Sequence, residues 1–153
     1  MPSPGRSSSK EPGWWAARLD DLGGIALDVL GVDGNPHTPD EIADGLRAVV
    51  KADLPPNDAP AGHLTTKARA EWATSRQALL DHGNAAALDT VETALFCVCL
   101  EDFAPESTQR AGDELLHGDR GNRWFDKAVS FVVFADGAAG INVEHCGLDG
   151  TTI

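Results

Sequence analysis

Residues 122–150 read NRWFDKAVSFVVFADGAAGINVEHCGLDG, and this stretch decides the fold. Two runs rich in β-branched and aromatic residues, 131–134 and 141–143, lie on either side of the dipeptide Asp136-Gly137. Such runs favour strands, and Asp-Gly suits a tight hairpin turn. The sequence therefore predicts a buried β-hairpin. Because both of its faces are apolar, we expect the two strands to be central strands of a sheet.

The return strand of this hairpin leads to His145. Side chains alternate between the two faces of a strand, so His145 is predicted to share a face with Ile141 and Val143, while Cys146 lies on the other face. An imidazole with an unperturbed pKa of about 6.5 can accept a proton near neutral pH, and apolar surroundings favour its neutral form. His145 is therefore a candidate general base. The alternative is a hydrogen-bonded structural histidine at a strand end.

Composition and charge narrow the class of protein. At 153 residues the chain has the size of one ordinary domain. Its net charge of −12 disfavours nucleic acid and anionic membrane surfaces as partners. No apolar run approaches the roughly 20 residues that a membrane-spanning helix needs, and the N-terminus has no continuous apolar signal core. We therefore expect a soluble, cytoplasmic protein without a transmembrane segment.

The remainder of the chain is predicted to be mainly helical. Residues 1–23 begin with a segment rich in Ser, Pro and Gly and are predicted to be a flexible tail, with a short amphipathic turn near Trp14. Thr38 and Pro39 are a cap and a first helical residue that predict the start of a helix. A strand is predicted at 25–30 and further helices at 67–81, 88–100 and 107–116. The fold class is α/β (α+β), with helices packed on a β-hairpin or sheet over residues 24–153.

Three other kinds of site compete for the same residues. A zinc site would use thiols and imidazoles, but a single residue separates the first two cysteines, and structural zinc sites usually have two to four. Cys146 and His145 could form a thiol hydrolase, although adjacent strand residues point to opposite faces. Glu144 and Asp149 could be a carboxylate pair or simply solvated, and the glycines lack phosphate-binding spacing. The zinc candidates are Cys97, Cys99, His117, His145 and Cys146.

The sequence resembles the choline/carnitine O-acyltransferase family in two blocks, NRWFDK at 122–127 and EHxxxDG at 144–150. Their order and separation agree with the signature of that family. The resemblance extends upstream and covers roughly residues 24–153. The supporting segments are ALDV at 26–29, DGNPHTPDEI at 33–42, GHLTT at 62–66, RAEWATSR at 69–76, CVCL at 97–100 and LLHG at 115–118.

The resemblance implies an acyltransferase that moves an acyl group between coenzyme A and the hydroxyl of carnitine or choline. His145 would be the general base, and Asp149 would support the site electrostatically. The residues 122–127 would be architectural, with Trp124 and Phe125 anchoring the hairpin and the charged members pairing with neighbours. Acyl-coenzyme A would be a co-substrate, and no bound cofactor or metal is expected.

Family members are far longer and have two similar lobes related to chloramphenicol acetyltransferase. Residues 24–153 would be part of one such lobe. The Ser-Thr-Ser oxyanion element and the coenzyme A contacts belong to later parts of the family fold, so the residues that bind coenzyme A are expected outside this chain. We therefore expect the 153-residue chain alone to be inactive. The alternative is a non-catalytic truncated fragment, or a module that another chain, such as the missing C-terminal lobe, completes.

Overall fold

The computed structural model describes residues 16–18, 22, 24–52 and 60–144. These residues divide into two compact units, one formed by 16–18 with 25–52 and the other by 22, 24 and 60–144. Each unit has its own secondary structure. The predicted domain over 24–153 takes in residues of both units.

The first unit contains a short antiparallel strand pair and one helix. Strand β1 (Ala16–Arg18) pairs with β2 (Ile25–Leu27), and helix α1 spans Pro39–Lys51. Residues 16–18, which the prediction placed in the N-terminal tail, form a strand. The strand predicted at 25–30 is also shorter, because the Asp28 carboxylate accepts a hydrogen bond from the Leu30 N–H and turns the chain away.

Helix α1 begins as its sequence predicts. The Thr38 hydroxyl accepts from the Glu41 N–H at 3.3 Å, and the Glu41 carboxylate accepts from the Thr38 N–H at 2.8 Å, which is a capping box. Pro39 occupies the first helical turn. Gly45 lets the helix lie close to β2, since a Cβ atom there would be 2.7 Å from the Leu27 Cδ1 atom.

The second unit contains helices α2 (Arg69–Asp81) and α3 (Ala85–Thr93), preceded by a 3₁₀ helix at Ala61–Thr66. Gly83 separates the two α-helices at a φ of 91°, a conformation that a residue with a Cβ atom rarely adopts. In the core of the second unit, Trp72 and Trp124 contact each other edge to face, with their ring centroids 6.0 Å apart. The buried members of that core are Leu22, Ala61, Trp72, Leu88, Val91 and Trp124.

The helix predicted at 88–100 is wrong in its second half. Helix α3 ends at Thr93, and Cys97–Leu100 form strand β3, which pairs in parallel with the later strand β4 (Val129–Val133). An apolar run with spacings of three and four residues fits a buried helix or a buried strand equally well. Residues 97–100 form a strand because they pair with a strand about 30 residues further along the chain. A local sequence pattern cannot predict such a distant partner.

The sheet has the order β3-β4-β5, with β5 at Ala139–Val143 and β4 in the middle. Helix α4 (Thr108–Leu116) begins with a Ser107 cap and packs against one face. That face buries Cys99, Val132 and Phe134. The architecture is a small mixed sheet with helices, which confirms the predicted α+β class. Within the described residues, no helix is both long enough and apolar enough to span a bilayer.

Candidate functional site

The predicted hairpin is present, but only β4 is the central strand that was expected, since β5 lies at the edge of the described three-stranded sheet and is partly exposed. Strands β4 and β5 are antiparallel in the register Val129↔Val143 to Val133↔Ala139. Phe134 donates its N–H to the Ala138 carbonyl at 2.8 Å, and Gly137 closes the turn at a φ of 85°. The Asp136-Gly137 turn is therefore confirmed.

The strand pairing continues to the last described residue. The Glu144 N–H donates to the Ala128 carbonyl at 3.0 Å, one step beyond the Val129↔Val143 pair. His145, Cys146 and Asp149 lie outside the described residues. The structure thus describes the strand that leads to the candidate site as far as Glu144, the residue before His145.

A buried ion pair lies at the start of the signature segment, residues 122–127. Arg123 Nη1 is 2.5 Å from Glu101 Oε1, and the two side chains are only 2% and 6% exposed. Arg123 Nη2 also donates to the Glu114 carbonyl at 3.1 Å, and the neighbouring Asn122 amide donates to the Leu100 carbonyl at 2.9 Å. These bonds join the end of β3, the last turn of α4 and the segment entering β4.

The rest of the signature joins β4 to the helices. Asp126 accepts from Trp72 Nε1 at 2.8 Å and forms an ion pair with Arg69. Lys127 Nζ donates to the Val91 carbonyl at 2.9 Å and to two further carbonyls beyond it, which satisfies acceptors at the C-terminus of α3. The predicted pairing of these charged residues with neighbours is confirmed.

Trp124 packs on the helices, whereas the prediction had it anchoring the hairpin itself. It belongs to the core formed with Trp72 and Leu88. The Phe125 N–H donates to the Thr65 hydroxyl at 3.0 Å, so the backbone is also tied to the 3₁₀ helix. The signature therefore fixes where β4 begins relative to α2 and α3, and this is a structural role.

A groove of about 380 Å³ lies beside the signature, between the end of α3 and the start of β4. Its acidic groups already have basic partners in the structure. The Arg76 guanidinium donates two hydrogen bonds to Glu92 and lowers the pKa of that carboxyl, and Asp126 is paired with Arg69. Both acidic groups of the groove are therefore paired with arginines, and the Lys127 ammonium donates to backbone carbonyls at the end of α3. The groove is lined by Glu92, Ala94, Leu95, Trp124, Asp126, Lys127 and Ala128.

The thiols of β3 are packed as neutral groups. Cys97 and Cys99 are free, and burial raises the pKa of the Cys97 thiol to about 11 and also raises the pKa of Cys99. In the part of the chain that the structure describes, no three His, Cys, Asp or Glu side chains converge. Of the zinc candidates, the structure places Cys97, Cys99 and His117, while His145 and Cys146 lie outside the described residues.

Comparison with known proteins identifies the family. The protein-family model described as Choline/Carnitine o-acyltransferase matches residues 25–153. The chain belongs to the choline/carnitine O-acyltransferase family.

Individual relatives include carnitine O-palmitoyltransferase 2, mitochondrial, from Xenopus tropicalis, which is 40% identical over 127 residues. The protein of the same name from Homo sapiens is 37% identical. Both alignments cover 83% of this chain and 19% of the relative. Carnitine O-acetyltransferase from Homo sapiens is 31% identical over 158 residues, covering 96% of this chain and 25% of the relative. The chain thus spans about a fifth of the length of the first two relatives.

Sequence reasoning missed two polar residues of this scaffold, Glu101 and Asn142. Glu101 follows an apolar run directly, so its burial could have been suspected, but its partner is 22 residues away. The Asn142 amide donates to the Leu115 carbonyl at 2.7 Å. The available signal was a polar amide inside a β-favouring run, three residues before the candidate base.

Proposed function

We propose that this chain provides the general base, and the sheet that carries it, to an O-acyltransferase that moves an acyl group between coenzyme A and the hydroxyl of carnitine. Choline is the second candidate acceptor. Family membership supports acyl transfer, and the relatives named above are carnitine acyltransferases. The observation that carries the proposal is the β4–β5 pairing, which runs unbroken to Glu144, the residue before His145.

The facing of the described β5 residues supports one face of the sheet for the proposed base. Gly140 and Asn142 face α4, so Ile141 and Val143 lie on the opposite face. Continued alternation carries position 145 to the side of Ile141 and Val143. This face is apolar, and once the rest of the enzyme covers it, such surroundings would keep an imidazole neutral and able to accept a proton.

In the proposed reaction, the neutral His145 imidazole removes the proton from the acceptor hydroxyl. The oxygen forms a bond to the acyl carbonyl carbon, and the resulting tetrahedral oxyanion collapses with cleavage of the carbon–sulfur bond. The imidazolium returns its proton to the departing coenzyme A thiolate, and the reverse reaction runs through the same steps. Such proton transfer contributes about 10²–10⁴ in rate. Asp149, four residues later, supports the charged imidazolium electrostatically.

The remaining rate enhancement requires groups that lie elsewhere in a complete enzyme. We propose that residues 24–153 are part of one lobe of a two-lobe fold like that of chloramphenicol acetyltransferase. Stabilisation of the oxyanion and binding of coenzyme A then fall to other parts of the fold, and the 153-residue chain alone has negligible turnover. The relatives' greater length supports this division, since the chain matches 19% of the mitochondrial enzymes.

A second candidate is a non-catalytic module that needs another chain. The open face of the sheet favours it, because Val98 and Ile141 are 41% and 48% exposed. An apolar face of this kind is suited to burial against a partner. The module reading and the enzyme reading differ in whether His145 supports turnover once the rest of the fold is present.

A graft distinguishes the two readings. The 127-residue segment of the Homo sapiens palmitoyltransferase that aligns with this chain is replaced by the matching residues of this chain. Coenzyme A thiol release is then measured with acetyl- or palmitoyl-coenzyme A and with carnitine or choline. We expect His145-dependent turnover that falls about 10²–10⁴-fold in the His145→Ala graft.

The same assay on the 153-residue chain alone is expected to give no turnover above its own His145→Ala control. A graft that melts cooperatively but transfers no acyl group would contradict the enzyme reading and favour the module. Full activity in a folded His145→Ala graft would remove His145 from the mechanism.

A further inference from the structure

The last turn of α4 holds strand β5 through a side-chain hydrogen bond. The Asn142 Nδ2 group donates to the Leu115 carbonyl at 2.7 Å. Leu115 is the second-last residue of α4, and carbonyls in the last turn of a helix have no N–H donor within the helix. The Asn142 amide therefore satisfies a helix-end acceptor from a neighbouring strand.

Close packing at Gly140 reinforces this contact. A Cβ atom at position 140 would lie 2.5 Å from the Leu115 Cδ1 atom, so the Leu115 side chain rests directly on the β5 backbone. Leu115 thus meets β5 twice, through its side chain at Gly140 and through its carbonyl at Asn142. The two contacts are two residues apart on the same face of the strand.

The helix end is itself fixed from the other side. Arg123 donates to the Glu114 carbonyl, next to Leu115, and is ion-paired with Glu101 at the end of β3. The final turn of α4 is therefore bound to the sheet at β3 and at β5. A helix held in this way is a fixed reference for the register of β5.

Register matters here because a slip of one residue turns every side chain to the opposite face and moves it by about 3.3 Å. Misplacement by about 1 Å of a catalytic group can lower a rate by roughly 10²-fold. Asn142 is three residues before His145, and the strand pairing continues through Glu144 between them. An apolar residue at 142 would satisfy burial, whereas the amide specifies one alignment with the Leu115 carbonyl.

We propose that Asn142 is a positioning residue that fixes the register of β5 through the Leu115 carbonyl and thereby sets the face and depth at which His145 enters the site. The catalytic part of this inference rests on the proposed function. The structural part concerns the chain itself and can be measured without turnover.

The test compares two variants of the full chain with a matched control. Asn142→Leu removes the donor and is apolar, and Asn142→Asp keeps the shape but presents an acceptor to the Leu115 carbonyl. Asn84→Leu is the control, because the Asn84 amide makes the same kind of bond, to the Leu79 carbonyl at 3.1 Å at the end of α2. All three lose one amide-to-carbonyl bond at a helix end.

The primary measurements are amide hydrogen exchange at Glu144 and NMR contacts of the His145 ring with the methyl groups of Val129 and Val143. In the wild-type chain and in Asn84→Leu, we expect protection of the Glu144 N–H and ring contacts with these valines. In both Asn142 variants, exchange at Glu144 should rise by about tenfold or more and the ring contacts should be lost. Unchanged exchange and unchanged contacts in either folded variant would overturn the inference.

The graft provides the functional measurement. There Asn142→Leu and Asn142→Asp should lower kcat by about tenfold or more with little change in KM, because a misplaced base affects the chemical step and not substrate binding. Asn84→Leu should leave kcat within about twofold. A graft that loses activity in His145→Ala but keeps kcat in both Asn142 variants overturns only the positioning role. A graft indifferent to His145→Ala overturns the proposed function instead, while exchange at Glu144 still decides the register.

Discussion

The two faces of the β3–β4–β5 sheet are built by the same strands, yet only one of them is covered within the described residues. On the α4 side, Val132 and Cys99 are 0% and 4% exposed. On the opposite side, Val98 and Ile141 are 41% and 48% exposed, although both are apolar. The difference shows that this chain provides the packing for one face by itself. The other face has the composition of a buried surface without a described partner.

Two polar anchors of the scaffold serve the covered face. Arg123 and Asn142 each bind a carbonyl in the last turn of α4. Such bonds align the helix with the strands, whereas apolar contacts alone tolerate small shifts. The open face has the opposite character: it is apolar and lacks such anchors among the described residues.

The largest expected effect is loss of the buried ion pair on the covered side. Arg123→Met leaves the Glu101 carboxylate buried at 6% side-chain exposure without its partner. Breaking one half of such a pair costs about 3–5 kcal/mol. We expect the free energy of unfolding, measured by urea denaturation with circular dichroism, to fall by that amount.

The double variant Arg123→Met with Glu101→Leu is the control for this prediction. It removes the stranded charge as well, so most of the lost stability should return. Equal losses in the single and double variants would mean that the hydrogen bond from Arg123 to the Glu114 carbonyl, and not the ion pair, holds this region.

A second effect concerns the reactivity of Cys97, which packs against the helical core. Burial raises the pKa of this thiol from 9.0 to about 11, so below pH 9 it forms about 100-fold less thiolate than a free cysteine. We expect alkylation of Cys97 by iodoacetamide at pH 8, followed by mass spectrometry, to be slower in the folded chain than in the urea-unfolded chain by at least that factor.

The raised pKa of Cys97 also makes stability depend on pH, because the folded thiol stays neutral where the unfolded one ionises. Its contribution to stability is therefore complete below pH 9 and is lost as the pH rises toward 11.

Rapid alkylation of Cys97 in the folded chain would show that the covered side opens readily. The urea-unfolded chain serves as the reference for intrinsic reactivity, since all three cysteines should then react at similar rates.

Local patterns predicted the elements whose signals lie close together in the sequence. The Thr38–Glu41 cap, the Ser107 start of α4 and the Asp136-Gly137 turn each involve residues no more than three apart, and the structure has each of them. The family signature likewise consists of contiguous residues.

Features that depend on distant partners were not predictable in the same way. Strand β3 was predicted as helix because its partner strand begins about 30 residues later. The partners of Arg123 and Asn142 lie 22 and 27 residues away, and no spacing rule connects them. The predicted site residues His145 and Asp149 lie outside the described residues, so their placement stays a prediction.

The smallest expected effect compares the two faces directly with one chemical change. Val132→Thr replaces a methyl by a hydroxyl at a position with 0% exposure, and Val98→Thr makes the same replacement at 41% exposure. Val132 lies in the central strand β4 and Val98 in the edge strand β3, and both positions lie in strands that favour β-branched residues. A buried hydroxyl without a partner costs about 1–3 kcal/mol, whereas an exposed hydroxyl remains hydrated and costs about nothing. Urea denaturation of the two variants should therefore show a loss in Val132→Thr only. If the two losses were equal, the face bearing Val98 would be covered in solution as fully as the face under α4.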